Sequence, residues 1–389
     1  MENIQSVFLA SKNPILFGPG VARLTGEKLK EFGIKKVLVV YDKGIKDAGI
    51  VDKILGYIHA AGIETVCYDG VLPDPPDYIA EEAGALGVAN NVDGVVAIGG
   101  GSSLDTGKAA KVLLTNPPPI SRYYIAYEAE PPSDETMKPV IVIPTTAGTG
   151  SECTPGGVIT DTSTNRKQNV PCATNLGIID PELTVGLPPE ITAMTAADAL
   201  CHAVEAFTSN NPNRLSATLA KEAIALIGKS LPRVIKNGAD IDARADVQFA
   251  ATLAGLSIMG PFCNVPHEIG LPLGTILNIP HGVACGATLP EALEFLAPSI
   301  PDKIAEVASL LGADIPDGAS PDEIGRIARE TVRRLYNETN MPGLKKYVKT
   351  KAELLEAVPA VMEASPFVFS SRPITAEDVS EILSLAYDA

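Results

Sequence analysis

The stretch DGVVAIGGGSSLDTGKAA, residues 93–110, decides the reading of the fold. Its first half is an apolar run that ends in three consecutive glycines, and its second half has helical spacing. A strand without polar alternation is buried on both faces, which is the situation of a strand in a parallel sheet covered by helices. The glycines let backbone N–H groups approach a ligand with no Cβ in the way. Ser102 or Ser103 can cap the helix, with Asp105 in its first turn. A helix N-terminus facing such a loop suits a pyrophosphate. The same text also fits a tight strand–helix turn that binds nothing, because it is neither GxGxxG nor a Walker loop.

Working outward, the first half of the chain keeps this alternation. KKVLVVYD (35–42), ETVCYDG (64–70) and KPVIVIPTTAGTGS (138–151) read as strands, and IVDKILGYIHAAG (50–62) and DYIAEEAGALGVAN (77–90) read as helices. PTTAGTGSE (144–152) is a second small, hydroxyl-rich loop after a buried strand. Two such loops at strand C-terminal ends can line one crevice, where open α/β sheets bind ligands. Asp42 ends an earlier strand and can accept a hydrogen bond from a ribose hydroxyl, or it is simply a solvated turn residue. From about residue 186 the text turns Ala- and Leu-rich with helical periodicity and no strand pattern. The expected architecture is an α/β Rossmann-like parallel-sheet domain over 1–185 and an all-α domain over 186–389.

The chain has 389 residues, too long for one ordinary core. Its net charge of -16 argues against nucleic acid, which needs clustered Lys and Arg. No run of about 18 apolar residues suggests a membrane span, and the first 20 residues lack the pattern of a signal peptide. The six cysteines are scattered without a CxxC and most read as small buried residues, although Cys263 and Cys285 lie close in sequence to two histidines.

Only four histidines occur, and His59 sits in an amphipathic helix as a surface or structural residue. In DALCHAVEAF (198–207), Asp198 and His202 stand four residues apart, on one face of a helix. With His267 and His281 they form a concentrated set. An aspartate oxygen and three imidazoles suit Zn²⁺ or Fe²⁺, and the spacing does not choose between them. Each histidine alone is more often a satisfied core or surface residue than a ligand. Cys201 points about 100° away from His202 and is not counted as a ligand.

These residues together resemble the iron-containing (group III) alcohol dehydrogenase family over essentially the full length. The carrying segments are VVYDKGIKDAG (39–49), YDGVLPDPP (68–76), GGGSSLDTGKA (99–109), PTTAGTGSE, IIDPELT (178–184), DALCHAVEAF and PHGVACGATLP (280–290). The resemblance implies a nicotinamide-binding domain followed by a helical metal domain. It implies one divalent metal, Fe²⁺ or Zn²⁺, on Asp198, His202, His267 and His281. It implies cofactor contacts at Gly99, Gly100, Gly101, Ser102 and Asp105, at Thr145, Thr146, Gly148 and Thr149, and at Lys167 and Asp42 near the ribose. The expected activity is hydride transfer between NAD(P)(H), with NAD(H) favoured, and a metal-bound alcohol or aldehyde. The expected setting is a cytoplasmic homodimer or higher homo-oligomer with no nucleic-acid or membrane partner. Polyol, hydroxyacid and dehydroquinate synthase-like chemistries are the rivals.

Two departures bear on substrate. Where many members carry HPLG after the third ligand, this chain reads LPLG, so Leu271 replaces a histidine near the nicotinamide. The approach GPFCNVPH, with Pro261, Phe262 and Pro266, lacks the family's glycine-rich run and makes a stiffer, bulkier wall.

Overall fold

The computed structural model describes residues 13–125 and 136–389. Most of the N-terminal stretch read above for a signal peptide lies outside the described residues. The described chain divides into two compact units. One comprises 13–146 and 150–186, the other 147–149 and 187–389.

The first unit holds β1 (Ile15–Phe17), β2 (Lys36–Tyr41), β3 (Glu64–Tyr68), β4 (Gly94–Gly99), β5 (Val140–Pro144), β6 (Gly156–Asp161), β7 (Arg166–Pro171) and β8 (Leu176–Ile179). Its helices are α1 (Thr25–Glu31), α2 (Lys43–Asp47), α3 (Ile50–Ala60), α4 (Asp77–Ala89) and α5 (Gly101–Leu113). Six strands form a parallel sheet in the order β1-β8-β5-β4-β2-β3. Successive residues of the central strands feed opposite cores. Val37, Val39, Ile98 and Ile143 pack with Leu29, Ile54 and Ile58 on one face. Leu38, Val40, Val95 and Val142 pack with Ala83, Leu104 and Ala110 on the other. Both faces are therefore dry, which is why these strands show no polar alternation.

The strand order makes a crevice. β3 lies on one side of β2, and the chain then crosses to place β4 on the other. Loops leaving adjacent strands at such a reversal diverge, so the C-terminal ends of β2 and β4 open a cleft.

Strands β1 and β8 and the antiparallel pair β6–β7 went unread in the sequence. β1 has three residues, β8 has four, and the β6–β7 ribbon carries mixed polar text such as RKQNVP. The expected serine cap of α5 is a second difference. Gly100 occupies the cap position with no side-chain cap, because Ser103 turns instead to donate to Asp42 Oδ2 at 3.1 Å.

The second unit contains no strand among the described residues. Its helices are α6 (Pro189–Thr208), α7 (Arg214–Lys236), α8 (Ile241–Ser257), α9 (Val265–Leu277), α10 (His281–Gly286), α11 (Leu289–Leu296), α12 (Pro301–Leu310), α13 (Pro321–Glu338), α14 (Lys351–Leu355), α15 (Val358–Ala364) and α16 (Ala376–Asp388). α6 is buried almost all round, with Ala196, Ala199, Ala203 and Ala206 in one continuous core. Small side chains allow neighbouring helices to approach it closely. No helix of the described residues is long and apolar enough to cross a membrane.

Candidate functional site

Three helices assemble the histidine cluster. Asp198, His202 and Glu205 follow one another at i, i+4 and i+7 on α6, so all three leave one face. His267 sits in the first turn of α9, whose N-cap is Asn264. His281 is the first residue of α10. α10 can lie against α6 because Gly282 has no side chain: a Cβ there would stand 2.2 Å from the Met194 carbonyl oxygen.

Asp198 Oδ1 lies 3.4 Å from His267 Nε2 and 3.3 Å from His281 Nε2. Oxygen and nitrogen ligands at about 2.0–2.1 Å from one tetrahedral ion stand about 3.3 Å apart, so these separations fit a shared cation. Asp198 Oδ1, His267 Nε2 and His202 Nδ1 are buried atoms with no hydrogen-bond partner. Each such atom costs about 1–3 kcal/mol if left unmatched. Three at one place in a core need a ligand. His202 stacks on His267 with ring centroids 4.3 Å apart. The donor atoms of Asp198, His267, His281 and Cys285 lie within 4.8 Å of one another, and those of His202, Cys263 and His267 form a second such group through the shared His267.

The electrostatics match this geometry. Burial would raise the Asp198 carboxyl, but His202 and His281 hold it well below the usual carboxylate range. Burial pushes His202 down to about 4, so its imidazole offers a lone pair at neutral pH. Burial opposes protonation of His281, yet Cys285 and Asp198 raise it to about 10. Asp198 is thus held ionised and His202 neutral, the states in which each offers a lone pair to a divalent cation.

Sequence reading missed Glu205, whose side chain is wholly buried. Its Oε1 accepts from the backbone N–H groups of Asn264 and His267, each at 2.9 Å, and its Oε2 accepts from His267 Nδ1. One acid of α6 therefore satisfies orphan N–H groups at the start of α9 and points His267 Nε2 toward Asp198. The signal was present in DALCHAVEAF: an acid on the same face as Asp198 and His202. Cys285, four residues after His281, was read as lying close in sequence to a histidine but not as part of the cluster. His59 bonds Thr65 Oγ1 on the surface at 2.9 Å, as its helix position suggested. Phe262, expected in the wall before His267, is 54% exposed and stacks on Phe369, while Pro266 is buried in the first turn of α9.

In the α/β unit, Asp42, Gly99, Gly100, Thr145 and Thr146, read as nucleotide contacts, meet at the ends of β2, β4 and β5. Asp42 caps α2 through Ile45 N–H at 3.1 Å and holds Ser103. Gly99 has φ +146, and a Cβ on it would stand 2.5 Å from Ser103 Oγ and 3.2 Å from Asp42 Oδ2. Gly100 lies against Thr146, and Thr145 N–H donates to the Gly99 carbonyl at 2.9 Å. Thr145 Oγ1 is buried with no hydrogen-bond partner. Asp105 accepts from Ser151 Oγ at 2.6 Å, and burial raises its carboxyl. Lys167, on β7, pairs with Asp74 at 2.5 Å. A cavity of about 370 Å³ opens beside Asp42, lined also by Lys43, Asp69, Gly70, Tyr78 and Glu82. In the other unit, a Cβ on Gly148 would stand 2.9 Å from Thr195.

Residues 13–181 match the model of the iron-containing alcohol dehydrogenases, and residues 192–387 match that of the family's C-terminal region. The chain is 38% identical over 303 residues to choline dehydrogenase of Bacillus subtilis (strain 168), covering 77% of this chain and 75% of that protein. It is 35% identical over 339 residues to 1,3-propanediol dehydrogenase of Klebsiella pneumoniae, covering 85% of each. The crystal structure of a 1,3-propanediol oxidoreductase superposes with a TM-score of 0.91 at 30% identity, covering 98% of this chain and all of that one.

Proposed function

The chain belongs to the iron-containing alcohol dehydrogenase family, and from that premise we propose that Asp198, His202, His267 and His281 hold its divalent cation, Fe²⁺ by preference or Zn²⁺. The protein is a metal-dependent oxidoreductase that interconverts an alcohol and its carbonyl compound with a nicotinamide cofactor. Choline and 1,3-propanediol, for which two relatives are named, share a primary hydroxyl. We take a small primary alcohol or its aldehyde as the substrate class.

One observation supports the site most strongly: buried, unpartnered atoms of Asp198 and His267, from two helices, lie 3.4 Å apart, and His281 of a third helix brings its Nε2 to 3.3 Å from the same Asp198 oxygen. A divalent cation held there by Asp198, His202, His267 and His281 would supply Lewis acidity toward a substrate oxygen, and a bound nicotinamide would supply the hydride chemistry. Asp198 supplies negative charge. His202 stays neutral and presents a lone pair. Glu205 accepts the His267 Nδ1 proton and so fixes the tautomer that turns Nε2 inward. Leu271 stands one turn after His267 and holds no titratable proton, so α9 contributes no proton relay from that position.

The α/β unit is assigned to the dinucleotide, with the glycine loop and the Thr145–Thr146 turn receiving the phosphates and Asp42 the adenosine ribose. Three acids but one lysine line the cavity, which supports NAD(H) over NADP(H). All six cysteines are free, in keeping with a reducing cytoplasm. We also propose a homodimer or higher homo-oligomer, which light scattering tests. The central experiment measures metal content and turnover of primary alcohols, polyols and aldehydes with both cofactors. About one divalent ion per chain and activity on the primary alcohols or aldehydes are expected. Full metal retention in both His267→Ala and His281→Ala would sink the ligand assignment.

A further inference from the structure

α10 brings a sulfur to the cluster. His281 and Cys285 are four residues apart on this helix and share a face. Cys285 Sγ lies 3.7 Å from His281 Nδ1 and 4.0 Å from His281 Nε2. Its donor atom falls within 4.8 Å of those of Asp198, His267 and His281. We propose that Cys285 is a thiolate ligand of the bound metal, added to Asp198, His202, His267 and His281 and grouped most closely with Asp198, His267 and His281, in a mixed oxygen, nitrogen and sulfur set. This rests on the metal site proposed above.

Cys285 is wholly buried, so solvent does not compete for its sulfur. The sulfur is confined from the side of α9: a Cβ on Gly270 would stand 2.5 Å from it. Nitrogen and sulfur ligands of one tetrahedral ion, at about 2.05 and 2.3 Å from it, stand about 3.6 Å apart. The 4.0 Å between Sγ and His281 Nε2 needs only a few tenths of an ångström of closure. The unpartnered Asp198 Oδ1 and His267 Nε2 face the same point. Cys263 makes the contrast. It groups with His202 and His267 but not with Asp198 and His281, and it is partly exposed. Binding releases the Cys285 thiol proton to solvent as the sulfur–metal bond forms. A soft sulfur donor biases the centre toward Zn²⁺ or Fe²⁺ and away from Mg²⁺ and Mn²⁺.

X-ray absorption at the zinc edge of the zinc-loaded, unmutated protein should find one sulfur neighbour at about 2.3 Å beside nitrogen and oxygen at about 2.0–2.1 Å. The cobalt(II)-substituted protein should show a sulfur-to-cobalt charge-transfer band in the near ultraviolet. That band should persist in Cys263→Ser and vanish in Cys285→Ser and Cys285→Ala. Those two Cys285 variants should also hold zinc roughly tenfold or more weakly against a chelator, a loss expected of groups that support a metal. A zinc shell of nitrogen and oxygen alone in the unmutated protein, where no variant has to fold, overturns the proposal. So does a band that survives Cys285→Ser. The metal-site reading fails separately, if His267→Ala and His281→Ala both keep their zinc.

Discussion

Thr145 apart, the two units treat their functional side chains in opposite ways. In the helical unit the key atoms of Asp198, His202 and His267 are buried and unpartnered. In the α/β unit Asp42, Ser103, Asp105 and Lys167 are each already engaged by a neighbour in the same unit. The difference follows from what each site has to hold. A cation is held by side-chain donors, which converge and stay free for it. A dinucleotide's phosphates are received by backbone N–H groups, so the side chains there serve to shape the loop. Lys108 is the extreme case: it is completely buried and donates to Ser151, Thr154 and the Gly156 carbonyl, beneath the loops and at the service of the scaffold.

The comparison is sharpest at the cluster. Asp198→Asn or His267→Ala should lose the metal and reduce kcat/KM by roughly a thousandfold or more, since Lewis acidity contributes several kcal/mol to the barrier. Metal analysis beside the assay checks it; a metal-free variant with full activity would break the contrast. Next comes Lys108→Met, which deprives at least two buried carbonyls of this donor at about 1–3 kcal/mol each. Denaturant unfolding should show about 3 kcal/mol of lost stability, with metal content per folded chain unchanged. Glu205→Gln retains shape but exchanges an acceptor of the His267 proton for an amide. Metal affinity should weaken by about 10–100-fold, the range typical of groups that orient a ligand. Equal affinity would mean that Glu205 serves only the end of α9.

A smaller effect is expected at Asp42. Like charges a few ångströms apart cost about 1–4 kcal/mol at effective dielectrics of about 80 to 20. Asp42→Gly should therefore raise the NADP(H) to NAD(H) ratio of kcat/KM by roughly tenfold. Because Asp42 also caps α2 and holds Ser103, the variant should lose about 1 kcal/mol of stability as well. An unmoved ratio with reduced stability would make Asp42 purely structural. The smallest effect belongs to His59→Ala, on the surface, which should leave metal content unchanged and stability within about 0.5 kcal/mol.

Much of this molecule was legible in its residues. Unbroken apolar runs at 35–42, 93–101 and 138–151 read as buried parallel strands, because a strand dry on both faces has no reason to alternate. Asp198 and His202 stood on one face of α6 by helical geometry alone. What those rules encode is which side of an element is hidden. They do not encode which residues of different elements meet. The meeting of His267 and His281 with Asp198 depends on how α9 and α10 pack against α6, and that was settled by missing side chains at Gly282 and Gly270 and by Glu205 anchoring the start of α9. The β6–β7 ribbon, the turn of Ser103 toward Asp42 and the arrival of the Cys285 sulfur at the cluster are of the same kind. Each is a contact between segments distant in the chain or a choice among local partners, and only the folded packing decides it.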